Sequence, residues 1–551
     1  MSATQTPVSP APARSPRASG FEDWRSWAQR YPFIGATVAS VLLAALSAAV
    51  LPTVPSYDPW AWISWGREVV DPHLSFAISG GPSWKPLPWF FTTVWALFGS
   101  TAAPTLWVIT ARAGGLLGLF AAYRLGARLI GTPRWAAVTA GVLAAGGIVV
   151  TQEWFYEMFR GTSEPMLIAC ALWAVDRHLE RRYGWAFVLG VATSLIRPEA
   201  WPLIIVYAAW LWFRQPRLRV LLVLGLLSIP FFWFVPPWIG SGQPFLAAQH
   251  AAEYNGQLGS NPFFTVLRRG VDVQTVPVLV FALVAVALAW FRTGQEMMHG
   301  AVEAFEERAR QGRRGAGVAA LRQAPRTQPG DAHSDDSTSR DSSMDPKPRD
   351  RLTLALGAGG LVWWVVVVGM TLDGYPGLER FYLPAAGVAC VLGGVGIVRV
   401  AELAAQGRVA VAFGVIAALV ALTIPFTGGR VNEARRQERV ASAAVTRLDQ
   451  LSAAVAAVGG HARMFPCKSS FAAVNHGVQT ALAWKLHVTL GRVGTSMRHQ
   501  GVMFVGPHDT IDGIAAPINP HLTSRQLLAT VGAWRVYRVA KPGADQRCVG
   551  T

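Results

Sequence analysis

Charge is scarce in this chain. Asp, Glu, Lys and Arg make up 15% of its 551 residues, against about 25% in an ordinary soluble protein. Apolar residues make up 52% and the mean hydropathy is positive. That balance excludes an ordinary water-soluble globule. Cysteine is scarce as well, with four residues. Cys170 and Cys390 lie inside apolar runs and read as small core- or lipid-facing residues. Cys467 and Cys548 fall in a polar C-terminal region, where they make a disulfide pair if that region lies outside the cell. Their spacing is not that of a metal site. The chain also lacks a Walker motif, a nucleotide-binding glycine fingerprint, His-Glu-x-x-His and Gly-x-Ser-x-Gly. No nucleotide cofactor is expected. No RNP, zinc-finger or helix-turn-helix pattern accompanies the net charge of +17, so nucleic acid is not the expected partner.

Long apolar runs are what the chain has. A membrane span needs about 20 such residues, fewer where a helix is buried in protein. Eleven runs qualify, over 33–53, 103–130, 134–151, 164–177, 184–196, 199–213, 219–239, 274–292, 352–371, 381–399 and 409–428. The pair 184–196 and 199–213 is short and reads as a broken hairpin. Twenty-three tryptophans fit a chain with many lipid–water boundaries. The first run lacks a small-residue cleavage site and reads as a retained helix. Arg25, Arg30, Arg124, Arg128, Arg134, Arg177, Arg181, Arg182, Arg214, Arg217 and Arg219 all fall on one face if the N-terminus is cytoplasmic. The expected class is an all-α polytopic membrane protein with a small C-terminal α+β unit. Residues 1–32 are expected to be a disordered cytoplasmic tail, and 33–428 the membrane domain. Residues 293–351 are expected to form a cytoplasmic loop, helical near Glu296–Arg310 and disordered around Thr327–Asp350. Residues 429–551 are the extracytoplasmic unit, with a helix over 431–458 and strand-like runs at 501–506 and 533–539.

Charged groups beside apolar runs are costly and draw attention first. Asp58, in Ser56-Tyr57-Asp58-Pro59-Trp60, follows the first run. It can cap a helix, because Asp accepts backbone N–H bonds and Pro suits a first turn. Beside a cavity it can also be a base. Glu153 and Glu157 are four apart and share a helix face, able to hold a metal or a sugar, or simply to meet water. Arg160 ends the same aromatic stretch. Arg197 and Glu199 flank Pro198 in the broken hairpin, as an internal ion pair or a phosphate contact. Arg380 opens the tenth run, where it can snorkel or fork onto phosphate. His250 and Glu253 lie in a long loop and read as solvated, with ligation the second reading.

In order and spacing, five segments resemble the GT-C superfamily of integral-membrane glycosyltransferases, in particular its protein O-mannosyltransferase-like branch. They are Tyr57-Asp58, Lys85-Pro86-Leu87-Pro88, Ala111-Arg112-Ala113-Gly114 leading to Tyr123-Arg124-Leu125 and Arg128-Leu129-Ile130-Gly131, Arg197-Pro198-Glu199, and Arg380-Phe381-Tyr382-Leu383-Pro384. The likeness covers about residues 33–428. It implies an inverting transferase in a bacterial plasma membrane. The donor would be a sugar on a polyprenyl phosphate; the acceptor would be an envelope glycan, lipid or protein. Asp58 would be the general base. Arg380 would meet the phosphate, with Lys85, Arg112 or Arg197 assisting, and Glu153, Glu157, Arg160, Glu199 and His250 would complete the substrate surface. Many relatives carry Asp-Glu in the first outer loop. Here Pro59 follows Asp58, so a second carboxylate must come from Glu68, Glu153 or Glu157, and metal dependence stays open. The rival readings are a transporter or lipid-linked-sugar flippase, and a non-catalytic assembly or sensor protein. Transporters tend to show paired repeats, and only one broken hairpin is present.

Overall fold

The computed structural model describes residues 31–252, 261–315, 346–507, 518–543 and 547–550. The expected N-terminal tail up to residue 30, Glu253, and the expected disordered stretch up to residue 345 lie outside the described residues. Residues 346–351, assigned to that loop, instead open a helix, because Pro346 and Pro348 sit in its first turn, where a missing N–H costs nothing.

Every one of the eleven apolar runs is helical. Helix α1 (Pro32–Val50) leads to two shorter helices, α2 (Tyr57–Val70) and α3 (Pro86–Ala96). The 32-residue α4 (Gly99–Ile130) is followed by α5 (Arg134–Val149), which bends by 69° into α6 (Trp154–Arg160). Next come α7 (Glu164–Leu179), α8 (Tyr183–Ser194), α9 (Trp201–Arg214) and α10 (Arg219–Ser241). Two short helices follow, α11 (Leu246–Ala252) and α12 (Pro262–Asp272). The bundle closes with α13 (Val276–Gly315), α14 (Pro346–Leu372), α15 (Leu383–Ala405) and α16 (Val409–Ala421). The surface helix expected at 296–310 is the continuation of α13. Six described helices are long and apolar enough to cross a membrane, or up to eight if each of two bent pairs is one span. At 12 and 14 residues, α8 and α9 fall short of a span by themselves.

The outer helices present apolar side chains outward. Leu42 and Leu46 on α1, Val220 and Leu227 on α10, and Leu283 and Phe291 on α13 are all more than 60% exposed. An outer surface of this kind is stable against lipid, not water. In contrast α15 is central, with 89% of its apolar window buried. Glycines let its neighbours close in. A Cβ at Gly396 would lie 2.0 Å from the Phe281 carbonyl oxygen, and one at Gly394 2.7 Å from that of Ala140. Small residues at helix contacts are the usual device for packing in lipid.

The last long helix, α17 (Ile424–Ala457), leaves the bundle and carries the C-terminal unit. That unit adds α18 (Gly460–Met464), α19 (Gln479–Leu486) and a five-stranded sheet. The strands are β1 (Ala472–Ala473), β2 (Val493–Gly494), β3 (Gly501–Val505), β4 (Ser524–Val531) and β5 (Trp534–Ala540), ordered β2-β1-β3-β5-β4. β1 is parallel to β2 and β3, while β5 is antiparallel to β3 and β4. Cys467 and Cys548 are joined as a disulfide beside it. The helical bundle with a small α+β unit is therefore the class expected from the sequence.

Two ends of the bundle differ in chemistry. At one end Arg124, Arg128 and Arg177 converge on Asp176 and Glu180, and Arg399 meets Asp350 at 2.5 Å. Helices α4, α7 and α15 run from there to the other end, where Asp58 lies.

Candidate functional site

Asp58 falls in the first turn of α2, and the N-cap is Ser56, with no side-chain cap bond. The capping reading of Asp58 is thus corrected: the helix starts at Tyr57, two residues earlier than a cap at Asp58 would set it. The freed carboxylate lies 3.2 Å from Arg380, Oδ2 to Nη1. The guanidinium comes from a single 3₁₀ turn, Glu379–Tyr382, that feeds α15. Arg380 Nε is buried and has no hydrogen-bond partner among the described residues.

Lys85 precedes α3 with an extended backbone, which Pro86 enforces. Its ammonium donates to Glu164 Oε1 and Ser163 Oγ, both at 2.8 Å. Arg197, in the break between α8 and α9, donates to the same Glu164 oxygen at 2.5 Å and to the Tyr375 hydroxyl at 3.3 Å. Its guanidinium stacks 3.9 Å over the Phe381 ring. Glu164 is fully buried, and two cations compensate the cost of its burial. Burial pulls the Lys85 ammonium down to about 8, against the pull of Glu164. Arg197 and Glu199 are 3.8 Å apart, so the internal pair imagined across Pro198 is looser than the contact to Glu164.

Glu153 takes a left-handed backbone, φ 46°, which is uncommon without glycine and concentrates at functional sites. Burial and the nearby Glu379 raise its pKa. Glu157, on α6, is fully buried and accepts a bond from the Thr162 hydroxyl. Burial, reinforced by Glu164, pushes its carboxyl up to about 8.

These side chains meet at one cavity of about 900 Å³. Asp58, Lys85, Glu153, Glu157, Arg197 and Arg380 line it, and Trp201, Trp233, Phe234 and Phe245 make an apolar wall. Four other candidate residues stay outside. Arg112 braces the chain below, donating to the Pro52 carbonyl at 2.5 Å and Ser47 Oγ at 3.3 Å. Arg160 stacks over Tyr156 at 4.2 Å. Glu199 is buried behind Arg197, and the imidazole of His250 lies 3.2 Å from the Pro82 carbonyl. Of the three proposed second carboxylates, Glu153 and Glu157 face the cavity. Glu68 does not: it accepts the Ala77 N–H at 3.0 Å. Among the described residues no three His, Cys, Asp or Glu side chains are grouped to hold a metal; the carboxylates that line the cavity are Asp58, Glu153, Glu157, Asp373 and Glu379.

Sequence reasoning missed several lining groups. Tyr375 stands in the segment that opens the tenth run, where Arg380 drew the attention. Glu164 is not on the lining but holds Lys85 and Arg197 from behind it, and Glu-Pro at a helix start was a legible cue. His476 had no signal at all. It enters from the C-terminal unit and stacks on Tyr57, with ring centroids 4.3 Å apart. Tyr57 also donates to Gln479 Oε1, and Thr480 donates to the Tyr57 carbonyl, both at 2.9 Å. The C-terminal unit therefore touches the residue adjacent to Asp58.

Among solved structures, the chain is similar to ArnT from Cupriavidus metallidurans bound to undecaprenyl phosphate, at 14% identity and a TM-score of 0.48 over 92% of this chain and 98% of that one. It is similar to ArnT in the apo state at 13% and 0.49, with the same coverage. It is also similar to the Archaeoglobus fulgidus oligosaccharyltransferase tethered with an acceptor peptide, at 11% and 0.41 over 85% of this chain and 64% of that one. No family model matches the chain, and no curated protein matches it.

Proposed function

We propose that the chain is an inverting GT-C-type glycosyltransferase that moves a sugar from a polyprenyl phosphate to an envelope glycan, lipid or protein. The supporting observation is one juxtaposition: a carboxylate and a guanidinium with an uncommitted Nε share a cavity that has a cationic wall and an apolar wall. The lipid of the donor would follow Trp201, Trp233 and Phe234. Its phosphate would draw Arg380 away from Asp58, with Lys85 and Arg197 adding positive potential. An arginine fork suits phosphate better than a point charge does.

Asp58, released from Arg380, takes the proton of the acceptor hydroxyl as that oxygen attacks the anomeric carbon. The bond from that carbon to the phosphate oxygen breaks, and the electron pair leaves with the phosphate. Arg380 stabilises the charge that develops there. A single displacement inverts the anomeric centre. The cavity would face away from the cytoplasm, in a bacterial plasma membrane, where a lipid-borne donor is available without a nucleotide.

Purified protein incubated with a panel of polyprenyl-phosphate sugars tests this, with released polyprenyl phosphate as the readout. Turnover of at least one donor, cut by about 10²–10⁴-fold in Asp58→Asn, is expected. Full transfer by correctly inserted Asp58→Asn would end the base assignment.

A further inference from the structure

A second cavity, of about 510 Å³, lies on the other flank of α2. That is within the range of small-molecule pockets, about 300–1,000 Å³. Asp58 lines the first cavity and Trp60 the second. Two residues along a helix are roughly 200° apart around its axis, so one short helix separates the two spaces. The far wall comes from the C-terminal unit, through Asp449, Trp484 and Lys485. Ser100 and Thr101, at the start of α4, complete it.

The lining is chemically mixed. It offers hydroxyls that both donate and accept, one carboxylate, one ammonium, the imidazole of His487, itself held 2.6 Å from Asp71, and two indoles whose centroids lie 6.1 Å apart. Lys485 already reaches the Ser452 hydroxyl. A phosphate would meet Asp449 as well as Lys485, so the site has no anion bias. An alkyl chain would strand the polar wall. Trp60 is 7% exposed, and its Nε1 has no partner among the described residues. Leu97 and Phe98, 70% and 62% exposed, sit just before Ser100. Apolar groups that open to the surroundings put the mouth at the edge of the lipid.

We propose that this cavity binds a neutral, hydroxyl-rich saccharide unit, gripped between Asp449 and Lys485 and packed on the indole wall. Hydroxyl pairs satisfy both signs of partner at once, and the C–H face of a sugar ring suits an aromatic surface. The unit can belong to a soluble glycan or to the headgroup of a glycolipid. The site is one of binding only, and does not depend on the transferase reading.

Calorimetric titration of the full chain in detergent with soluble gluco-, manno-, galacto- and arabino-oligosaccharides tests the first source. The same titration in nanodiscs that carry glycolipid tests the second. Saturable binding is expected in at least one arm, weakened roughly tenfold by Asp449→Asn and by Lys485→Gln, and unchanged by Asp58→Asn. Asp449 is on the surface and Asn is isosteric, so this variant retains the fold; an unchanged melting temperature checks it. Absence of binding in both arms overturns the proposal. So does binding that Asp58→Asn weakens and Asp449→Asn leaves alone, which would place the sugar in the first cavity. Inorganic phosphate that competes for the site overturns it as well. No turnover is read, so a chain without transferase activity gives the same answer.

Discussion

Asp58 and Arg380 hold each other 3.2 Å apart while each keeps capacity for a ligand. A general base contributes about 10²–10⁴-fold, so Asp58→Asn is expected to cut the turnover of a polyprenyl-phosphate sugar by that range, with donor KM little changed. Arg380→Lys should act differently: the fork is lost and the charge kept, so donor KM rises more than kcat falls. Equal effects of both variants on KM would mean that Asp58 binds the donor instead of activating the acceptor. The pH profile tests Lys85. Its folded pKa, about 8, lies below the ordinary 10.5. Between those values the unfolded chain binds the extra proton, so on this account stability rises with pH across that window. Activity should do the reverse and fall as pH passes about 8, because the ammonium that braces Glu164 is discharged. Lys85→Arg keeps the charge and should remove that alkaline limb; an identical limb in the variant would assign it elsewhere. At this scale the sequence was legible wherever a charge stood beside an apolar run, as at Asp58, Lys85, Arg197 and Arg380. It was mute for His476, whose place depends on how a chain folds back over more than 400 residues.

At the scale of elements, the C-terminal unit is latched to the bundle through α2 and α19. Arg67 is buried, and it donates to the carbonyls of Trp484 at 2.9 Å, Val488 at 3.1 Å and Ala483 at 3.4 Å. It also stacks on the Trp484 ring at 4.2 Å. These carbonyls end α19, where a cation also complements the helix dipole. α2 is itself pressed against α3, since a Cβ at Gly66 would fall 2.6 Å from the Thr92 backbone. Arg67→Met should strand the carbonyls and cost roughly 1.5–3 kcal/mol, the range for bonds to a charged donor. Hydrogen exchange should then quicken over 479–490 and stay slow in α4 and α15. Uniform quickening would mean that the latch supports the whole bundle. The eleven apolar runs were readable as helices because lipid demands that their backbone bonds be satisfied internally, although six described helices, or up to eight, are long enough to span. The strands β3 and β5 were readable as short β-rich runs. The latch was not: Arg67 and Glu68 look like an ordinary charged pair, and nothing local shows that one meets a helix end and the other the N–H of Ala77. The continuity of α17 was hidden for a related reason. The periodic stretch from 431 begins a few residues after an apolar run, and a break between them at 429 looked natural, whereas the helix already starts at Ile424.

For the molecule as a whole, the proposed orientation is argued from its two ends. One gathers Arg124, Arg128, Arg177, Arg349 and Arg399; the other holds the cavity, the aromatic wall and the disulfide-bonded unit. Basic short loops are retained on the cytoplasmic side. Disulfides persist where the surroundings are oxidising. Both rules favour the orientation proposed above, with the cavity outside. It can be measured with a single cysteine at Arg181, in the turn between α7 and α8, or at Asp373, in the turn after α14. Both positions are exposed. Cys467 and Cys548 are bonded to each other and so unreactive, Cys390 is buried, and Cys170, a half-buried free thiol, is replaced by Ser in both variants. A membrane-impermeant maleimide should label Asp373→Cys in intact cells, and Arg181→Cys only after lysis. The opposite pattern would set the cavity in the cytoplasm, where nucleotide sugars abound. The argument for a lipid-borne donor would then fail even though Asp58 and Arg380 kept their geometry. Orientation is thus the property of the whole chain on which the choice of donor turns.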